Sequence, residues 1–590
     1  MGGRRAARFV DATISLKNIR TTNRGASRVR FEDDPLTRSY DAIVVGSGAT
    51  GGWAAKRLTE AGLEVVVLEA GRNVSPKEFT EHKPAFQLKY RDMAEAGDWR
   101  KTRPIQTQCY ACTEYNYDWF VDDTQNPYST PAGKPFTWQR LRIVGGRTLC
   151  WGRQSYRLSD LDFKAASHDG YGQDWPISYA DLAPFYDIVE DYVGISGSAE
   201  GNDVLPDGRF LPAMKMTCGE VHFRNAMAKS FGRTVTIGRS AIITQVHHGR
   251  AACHNCGACE RGCISYSYFS SPFTTLKDAL DTGKCRLLTN SIVAHVETDP
   301  LSNRATGVTY IDGNTRETKT IRAKTVILCA QALESTRILL NSATGRHKAG
   351  LGNSSGLLGR GLMDHSVGSG ASGELPQFTD APDPLSGPHR ANGIYIVRYR
   401  NTRQGPRHSN FIRGYGFQGS AGAVFNQEAG GFGAAYKKAV KTGIYRISVG
   451  AFGESLARND NFVSIDPKLK DAWGIPALHI SMTHGENERA MHEDAAESGA
   501  EMLEAAGAKN IELRSMVSEP GMAIHELGTA RMGNDPKTSV TDSFCQLHDV
   551  NNVFAMDGAC FVSSGCQNPT LTMMAITVRA CDRLIDRFKR

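Results

Sequence analysis

Four cysteines in Cys253-His-Asn-Cys256-Gly-Ala-Cys259-Glu-Arg-Gly-Cys263 stand at C-x2-C-x2-C-x3-C spacing. That is the ligand spacing of bacterial-type iron–sulfur binders, and the small residues between them let several thiolates converge on one cluster. Ile264 replaces the usual Pro after the last cysteine, and no second such run exists to share ligands. Three or four thiolates suit a 3Fe-4S or a 4Fe-4S cluster; a structural zinc held by all four is the competing reading, and free thiols are the third. A second group of chemically able residues lies near the C-terminus. Ile524-His525-Glu-Leu-Gly528-Thr-Ala-Arg531-Met-Gly533 sets a histidine, a potential proton acceptor, in a glycine-rich loop. Asn552–Met556 reads as a strand ending on Asp557-Gly558. Gln567-Asn568-Pro569-Thr570 then opens a helix, with Asn568 as N-cap and Pro569 at the first helical position. Such a helix end offers free amides and a partial positive charge to an anion.

These groups need a scaffold, and one stretch declares it. Asp41-Ala-Ile-Val-Val-Gly46 has the length and β-branched content of a buried parallel strand. It runs into Gly46-Ser47-Gly48-Ala49-Thr50-Gly51, then a helical run to Glu60, then Glu64-Val-Val-Val-Leu68, which ends on Glu69. Strand, glycine turn, helix, strand and acid in this order mark a dinucleotide site. Gly46 permits the tight turn, Gly48 lets backbone approach a pyrophosphate, and Gly51 lets helix pack on strand, while Glu69 can accept from ribose hydroxyls. Strand–turn–helix recurs at Ala323–Cys329 and Leu333–Leu340, again with small residues at the turn. Gly145-Gly146, ahead of Cys150-Trp151-Gly152, suits close approach of backbone to a flat ligand. Residues 360–480 change character: short alternating runs such as Ile394–Tyr399 and Tyr445–Val449 predict antiparallel strands of a second, substrate-facing layer. Helices are predicted at Tyr179–Tyr192, capped by Ser178, and at about 485–507. The fold class is therefore α/β: a doubly wound, Rossmann-like sheet domain plus a domain on an antiparallel sheet.

The chain has 590 residues, with 40% hydrophobic and 22% charged, the composition of a soluble globular protein. No apolar run approaches the roughly 20 residues that cross a bilayer. Of 69 Lys and Arg, residues 1–31 hold eight against one acid, Asp11, so the body has no excess charge to favour nucleic acid. Arg4-Arg5 starts like a twin-arginine signal, but no adequate apolar stretch follows, so the chain reads as cytoplasmic on its own sequence. The fourteen cysteines form no disulfide framework; Cys329 and Cys581 sit in apolar runs, as small core residues do. Cys109-Tyr-Ala-Cys112 is a lone CxxC without a thioredoxin-like context and is assigned no function.

Taken together, the glycine turn with Glu69, Gly145-Gly146 before Trp151, Asp466-Pro-Lys-Leu-Lys-Asp-Ala-Trp-Gly-Ile-Pro476, the His525–Gly533 loop and Asn568-Pro569-Thr570 resemble the glucose–methanol–choline (GMC) family of FAD-dependent oxidoreductases. The order matches over about residues 38–588. Within it the His and Asn-Pro-Thr pair is similar to the pyranose oxidase branch and its FAD sugar dehydrogenase relatives. The resemblance implies bound FAD, His525 as base, Asn568 as its hydrogen-bonding partner, Val293 near the adenine, and Asp557 near the flavin's sugar or phosphate chain. Cys150 stands where pyranose oxidases carry a histidine bonded covalently to FAD, so non-covalent FAD is expected. Cys253, Cys259 and Cys263 match the cluster ligands of three-subunit FAD glucose dehydrogenases, Cys256 being an addition. Phe411-Ile-Arg-Gly-Tyr-Gly-Phe-Gln418 resembles a short substrate-side segment of glucoside 3-dehydrogenases.

The expected plan is a basic arm (1–36), an FAD domain (37–355) with an inserted lid (72–135) and a Cys-rich loop (250–270), a substrate domain (356–510), and a return to the FAD domain (511–590). The implied activity is oxidation of a secondary sugar or glycoside hydroxyl, C3 first, with electrons passed through an iron–sulfur cluster to a cytochrome c-type acceptor. The implied partners include a small subunit, whose export signal could carry the chain to the periplasm. An oxygen-using oxidase and a non-catalytic flavin and iron–sulfur electron-transfer subunit are the alternatives.

Overall fold

The computed structural model describes residues 38–378, 389–425 and 430–590. The basic arm lies outside them. Strand β1 (Ser39–Val45), helix α1 (Ala49–Glu60) and strand β2 (Val65–Leu68) form the expected parallel unit. β-Branched residues bury both faces of the strands, as a parallel sheet covered by helices requires. On the other side β1 pairs in parallel with β3 (Thr318–Leu328), which feeds helix α2 (Ala332–Asn341), the second strand–turn–helix. A late strand, β4 (Val553–Ala555), pairs in parallel with β3, and helix α3 (Thr570–Phe588) follows it. Cys285–Leu288 closes one edge of this seven-stranded sheet; at the other, Ser291–Asp299 and Arg304–Asp312 turn antiparallel.

Helix α3 buries an apolar face (Leu571, Met574, Val578, Cys581) in the same core as Trp53 and Leu58 of α1 and Leu182 and Val189 of the helix Tyr179–Val193. The last helix is thereby fixed against the first βαβ unit, and its start is held at the sheet's carboxyl edge, where ligands of open α/β sheets bind. Ser178 caps Tyr179–Val193 in a capping box with Asp181, as its sequence predicts. Cys329 and Cys581 are both buried in this core.

The second layer is a six-stranded sheet in the order Lys509–Arg514, Gly370–Glu374, Ile444–Gly453, Tyr415–Val424, Ile394–Ile396, Val235–Ile237, with antiparallel neighbours throughout. The expected strand at Ile394–Tyr399 is shorter, ending at Ile396. Its edge partner Val235–Ile237 comes from within the span expected for the FAD domain. The helix Glu486–Ala505 packs on this sheet through Met491, Ala495, Met502 and Leu503. The Asp466–Pro476 motif lies in a two-stranded pair, Phe462–Lys470 with Pro476–Ser481.

Candidate active site

One long cavity of about 570 Å³ runs along the sheet's carboxyl edge, from Val293 at one end to His525 and Asn568 at the other. The glycine turn shapes the middle. Gly46 has φ +96°, and a Cβ there would stand 2.4 Å from the carbonyl oxygen of Cys329. A Cβ on Gly51 would stand 1.9 Å from the Gly46 carbonyl oxygen, so the close packing of helix on strand needs glycine. At Gly48 the nearest protein atom to such a Cβ is 4.0 Å away, which leaves open the space expected for a pyrophosphate. Ser47 ties the turn together: its Oγ donates to Glu69 Oε2 (2.5 Å) and accepts from the Gly145 amide (2.8 Å). Glu69 also accepts from the amides of Ser47 and Gly71. Burial raises the Glu69 carboxyl above its usual range, against the pull of these donors. Thr50 and Gly146 line the same space.

Sequence reasoning missed a polar set on the cavity wall: Arg140, Arg142, Gln331, Glu334 and Arg337. The Glu334 Oε1 atom sits 3.8 Å from both Arg140 Nη1 and Arg142 Nη2 and makes no hydrogen bond. Arg140 Nε, Arg142 Nη1 and both amide atoms of Gln331 are buried without partners. Burial lowers the Arg140 guanidinium to about 10. Unpaired buried donors are costly, and a diphosphate with its ribose would satisfy them. Asp557, at the turn after β4, accepts from Ser335 Oγ (2.5 Å) and the Ala559 amide (2.9 Å), and burial raises its carboxyl to about 6. Glycine cradle, acid, open space and orphan donors together fit an FAD.

The reaction end draws on four distant segments. Ile524, a β-branched residue, has φ 65°, a conformation such residues rarely adopt, and it turns the chain into His525. Asp364 holds that turn by accepting from the amides of Gly521 (2.8 Å), Ala523 (3.1 Å) and His525 (2.9 Å). Burial and the nearby Glu526 raise the Asp364 carboxyl to about 7. Arg147 donates to the Ile524 carbonyl and to both oxygens of Glu526 (2.7 and 2.8 Å). The His525 ring faces the cavity and meets His365, Nδ1 to Nδ1, at 3.1 Å. Burial first, then the neighbouring His365 and Arg147, keep His525 well below the ordinary histidine range.

Asn568 lies at the same end, but it is not the N-cap of the last helix. Pro569 occupies that position, with φ −83° and ψ −14°, and Thr570 is the first helical residue. The Asn568 side chain is free of capping because Gln418 Nε2, from the strand Tyr415–Val424, donates to its Oδ1 at 2.7 Å. That contact leaves the Asn568 amide donor for the cavity. Pro569 and Thr570 line the cavity beside it, and so does buried Cys150, whose thiol burial pushes well up.

Residues 40–367 and 457–577 each match a family profile described as GMC oxidoreductase. The chain belongs to this family. As a GMC oxidoreductase it is an FAD-dependent enzyme acting on CH–OH donors. It is 30% identical, over 93% of its length and 95% of the other chain, to 2-methyl-1,2-propanediol dehydrogenase of Mycolicibacterium austroafricanum. It is 26% identical to the fructose dehydrogenase large subunit of Gluconobacter japonicus, over 94% and 99% of the two chains. The crystal structure of pyridoxine 4-oxidase from Mesorbium loti shares the fold, with a TM-score of 0.59 and 19% identity over 92% of this chain and 99% of that one.

In this GMC oxidoreductase the cysteine loop flanks the cavity. Glu260, between the third and fourth cysteines, lines the cavity and pairs with buried Arg153 at 3.2 Å. Its carbonyl accepts from the Asn116 side chain at 2.7 Å. Cys253, Cys259 and Cys263 share one small apolar cluster with Ile242 and Tyr268, and Cys256 stands outside it. Among the described residues no group of three or more His, Cys, Asp or Glu side chains is placed to hold a metal ion. All fourteen cysteines are free thiols. Cys109 and Cys112 are buried in a separate core with Val74, Trp99, Trp119 and Phe120. Among the described residues no helix is long and apolar enough to cross a membrane.

Proposed function

We propose that this enzyme is a dehydrogenase for a secondary hydroxyl of a sugar or glycoside, C3 first. The observation that carries this reading is one neutral imidazole, His525, at the same end of the dinucleotide cavity as the Asn568 amide. FAD, when bound along the cavity, supplies the two-electron acceptor. Asn568 binds and orients the substrate hydroxyl through its amide donor, with Gln418 holding its oxygen. His525 takes the hydroxyl proton as the carbon-bound hydride leaves; being uncharged well below neutral pH, it is available for that task. The start of helix α3 places its amides at this end and favours the negative charge that builds up there.

The fructose dehydrogenase large subunit among its relatives supports a sugar substrate and a small-subunit partner, while the 2-methyl-1,2-propanediol dehydrogenase keeps simple diols in the test panel. The reading extends to a cytochrome c-type acceptor, to an iron–sulfur cluster in the Cys253–Cys263 loop, and to export with a signal-bearing small subunit. A second reading is a GMC oxidase that passes electrons to oxygen.

Anaerobic stopped-flow bleaching of the flavin with a panel of glycosides, free sugars and diols tests the activity. Rapid bleaching by a glycoside with a free C3 hydroxyl is expected; bleaching by diols alone removes the sugar assignment. Iron and acid-labile sulfide analysis tests the cluster, and full turnover on air with peroxide formation establishes the oxidase.

A further inference from the structure

We infer that His365 is a positioning residue that accepts the Nδ1 proton of His525 and so leaves Nε2 as the basic nitrogen of His525. This rests on the reading of His525 as the base. The two Nδ1 atoms are 3.1 Å apart, a hydrogen bond. A neutral imidazole has one N–H and one lone pair, so one ring must carry its proton on Nδ1 and the other on Nε2. If His365 donated, His525 would carry its own proton on Nε2 and have no lone pair left for the substrate. If His525 donates, Nε2 keeps its lone pair.

The role of His525 decides between the two. A base needs a free lone pair for the substrate, and one is left on His525 only when its Nδ1 donates to His365. His365 then carries its proton on Nε2, a buried nitrogen with no hydrogen-bond partner among the described residues, and presents a bare Nδ1 to His525.

The backbone is built to hold this pairing. Met363 and Leu527 exchange both main-chain hydrogen bonds (3.0 and 2.9 Å), two residues before and after the paired rings. Asp364, next to His365, binds the His525 amide directly. The two rings stand at 81° with centroids 4.8 Å apart, and Phe452 packs against both. A neutral partner of this kind fixes the tautomer without adding a charge beside the flavin. A carboxylate there would make His525 a stronger base and a poorer donor of the proton it has taken.

The tautomer can be read without turnover. In protein labelled with 15N-histidine, the His525 signals, identified by their loss in His525→Gln, are expected to show a protonated Nδ1 and a bare Nε2. The reverse assignment overturns the inference. Flavin reduction is the second readout: His365→Leu is expected to slow it about 10- to 100-fold with flavin content unchanged. His365→Asn, whose side-chain oxygen stands where Nδ1 was, is expected to return it to within about threefold of the wild type. Equal losses in the two variants, or no loss in His365→Leu, overturn the inference. Should His365→Leu fail to fold, the wild-type 15N spectrum decides alone. A wild type bleached by no alcohol overturns the proposed activity and leaves the tautomer readable.

Discussion

At its phosphate end the cavity is shaped by backbone from one short stretch, Gly46–Thr50, with Glu69 and Gly145 bound to it through Ser47 and the Arg140, Arg142 and Gln331 side chains on the facing wall. At its reaction end it is walled by side chains from three remote segments, Gln418, His525 and Asn568, with Asp364 and His365 of a fourth holding His525 from behind. The charge states differ as well. Burial raises carboxyls at both ends, Glu69 and Asp557 along the phosphate end and Asp364 behind His525, but the reaction end and the helix behind it also hold buried histidines (His365, His484, His492 and His525) that burial keeps uncharged. The phosphate cradle is thus set mainly by local backbone shape, to which folding adds the remote side chains of Arg140, Arg142 and Gln331. The chemistry depends on long-range packing that aligns donors and acceptors one pair at a time.

The largest effect should come from the reaction end. His525→Ala is expected to slow flavin reduction by about 10²–10⁴ while leaving bound flavin at wild-type levels. Stopped-flow bleaching at the wild-type rate would falsify its role as base and reduce the contrast between the two ends to one of architecture. Substitutions in the turn should instead separate folding from binding. Gly51→Ala places a methyl group against the Gly46 carbonyl and is expected to destabilise even the flavin-free protein, by about 1–3 kcal/mol. Gly48→Ala meets no protein atom closer than 4.0 Å and is expected to fold normally yet bind FAD weakly. Thermal melts with and without FAD check both. Equal melting losses in the two variants would mean that Gly48 serves packing rather than the cofactor.

The same contrast explains which features were legible in the sequence. The glycine turn was, because its constraints act within a few residues; so were the two strand–turn–helix units and the capped helix at Tyr179. The antiparallel layer was visible as alternation, but Val235–Ile237 is too short to announce its pairing with Ile394–Ile396. His525 and Asn568 could be named, though not what holds them. The expected N-cap at Asn568 was wrong because Gln418, 150 residues away in sequence, claims the side chain that would have capped. His365 sits beside an acid in a loop of no special composition, so only tertiary structure sets it against His525, 160 residues on. Arg140, Arg142 and Glu334 carry no motif and become a group only when the chain folds. The cysteine spacing was plain, but spacing alone does not say which thiols are buried: Cys259 is, while Cys253, Cys256 and Cys263 are only partly so.

A variant beside the cavity should be milder for the first half-reaction. Cys259 is buried next to Glu260, outside the His525–Asn568 pair. Cys259→Ser is expected to leave flavin reduction within about twofold of wild type while slowing transfer to a protein acceptor. Unchanged rates in both half-reactions would remove the cysteine loop from the electron path.

The smallest effect concerns acid. His492, on the helix Glu486–Ala505 behind the reaction end, is buried with neither ring nitrogen partnered, and burial first, then His484, lowers it to about 4. Its unfolded value is about 6.5, so the unfolded chain binds a proton more readily than the folded one. The stability it contributes is complete above pH 6.5 and is lost as the pH falls toward 4. Asp557 acts in the opposite sense: raised to about 6, it favours the folded state at low pH and loses that advantage as the pH rises through 6. His492→Leu should therefore flatten the fall in melting temperature between pH 7 and pH 5, by on the order of 1 °C, whereas Asp557→Asn should steepen it by removing the opposing group. Parallel melting curves for wild type and His492→Leu would show that His492 is protonated in the folded state, and that the two ends of the cavity do not differ in charge as their burial indicates.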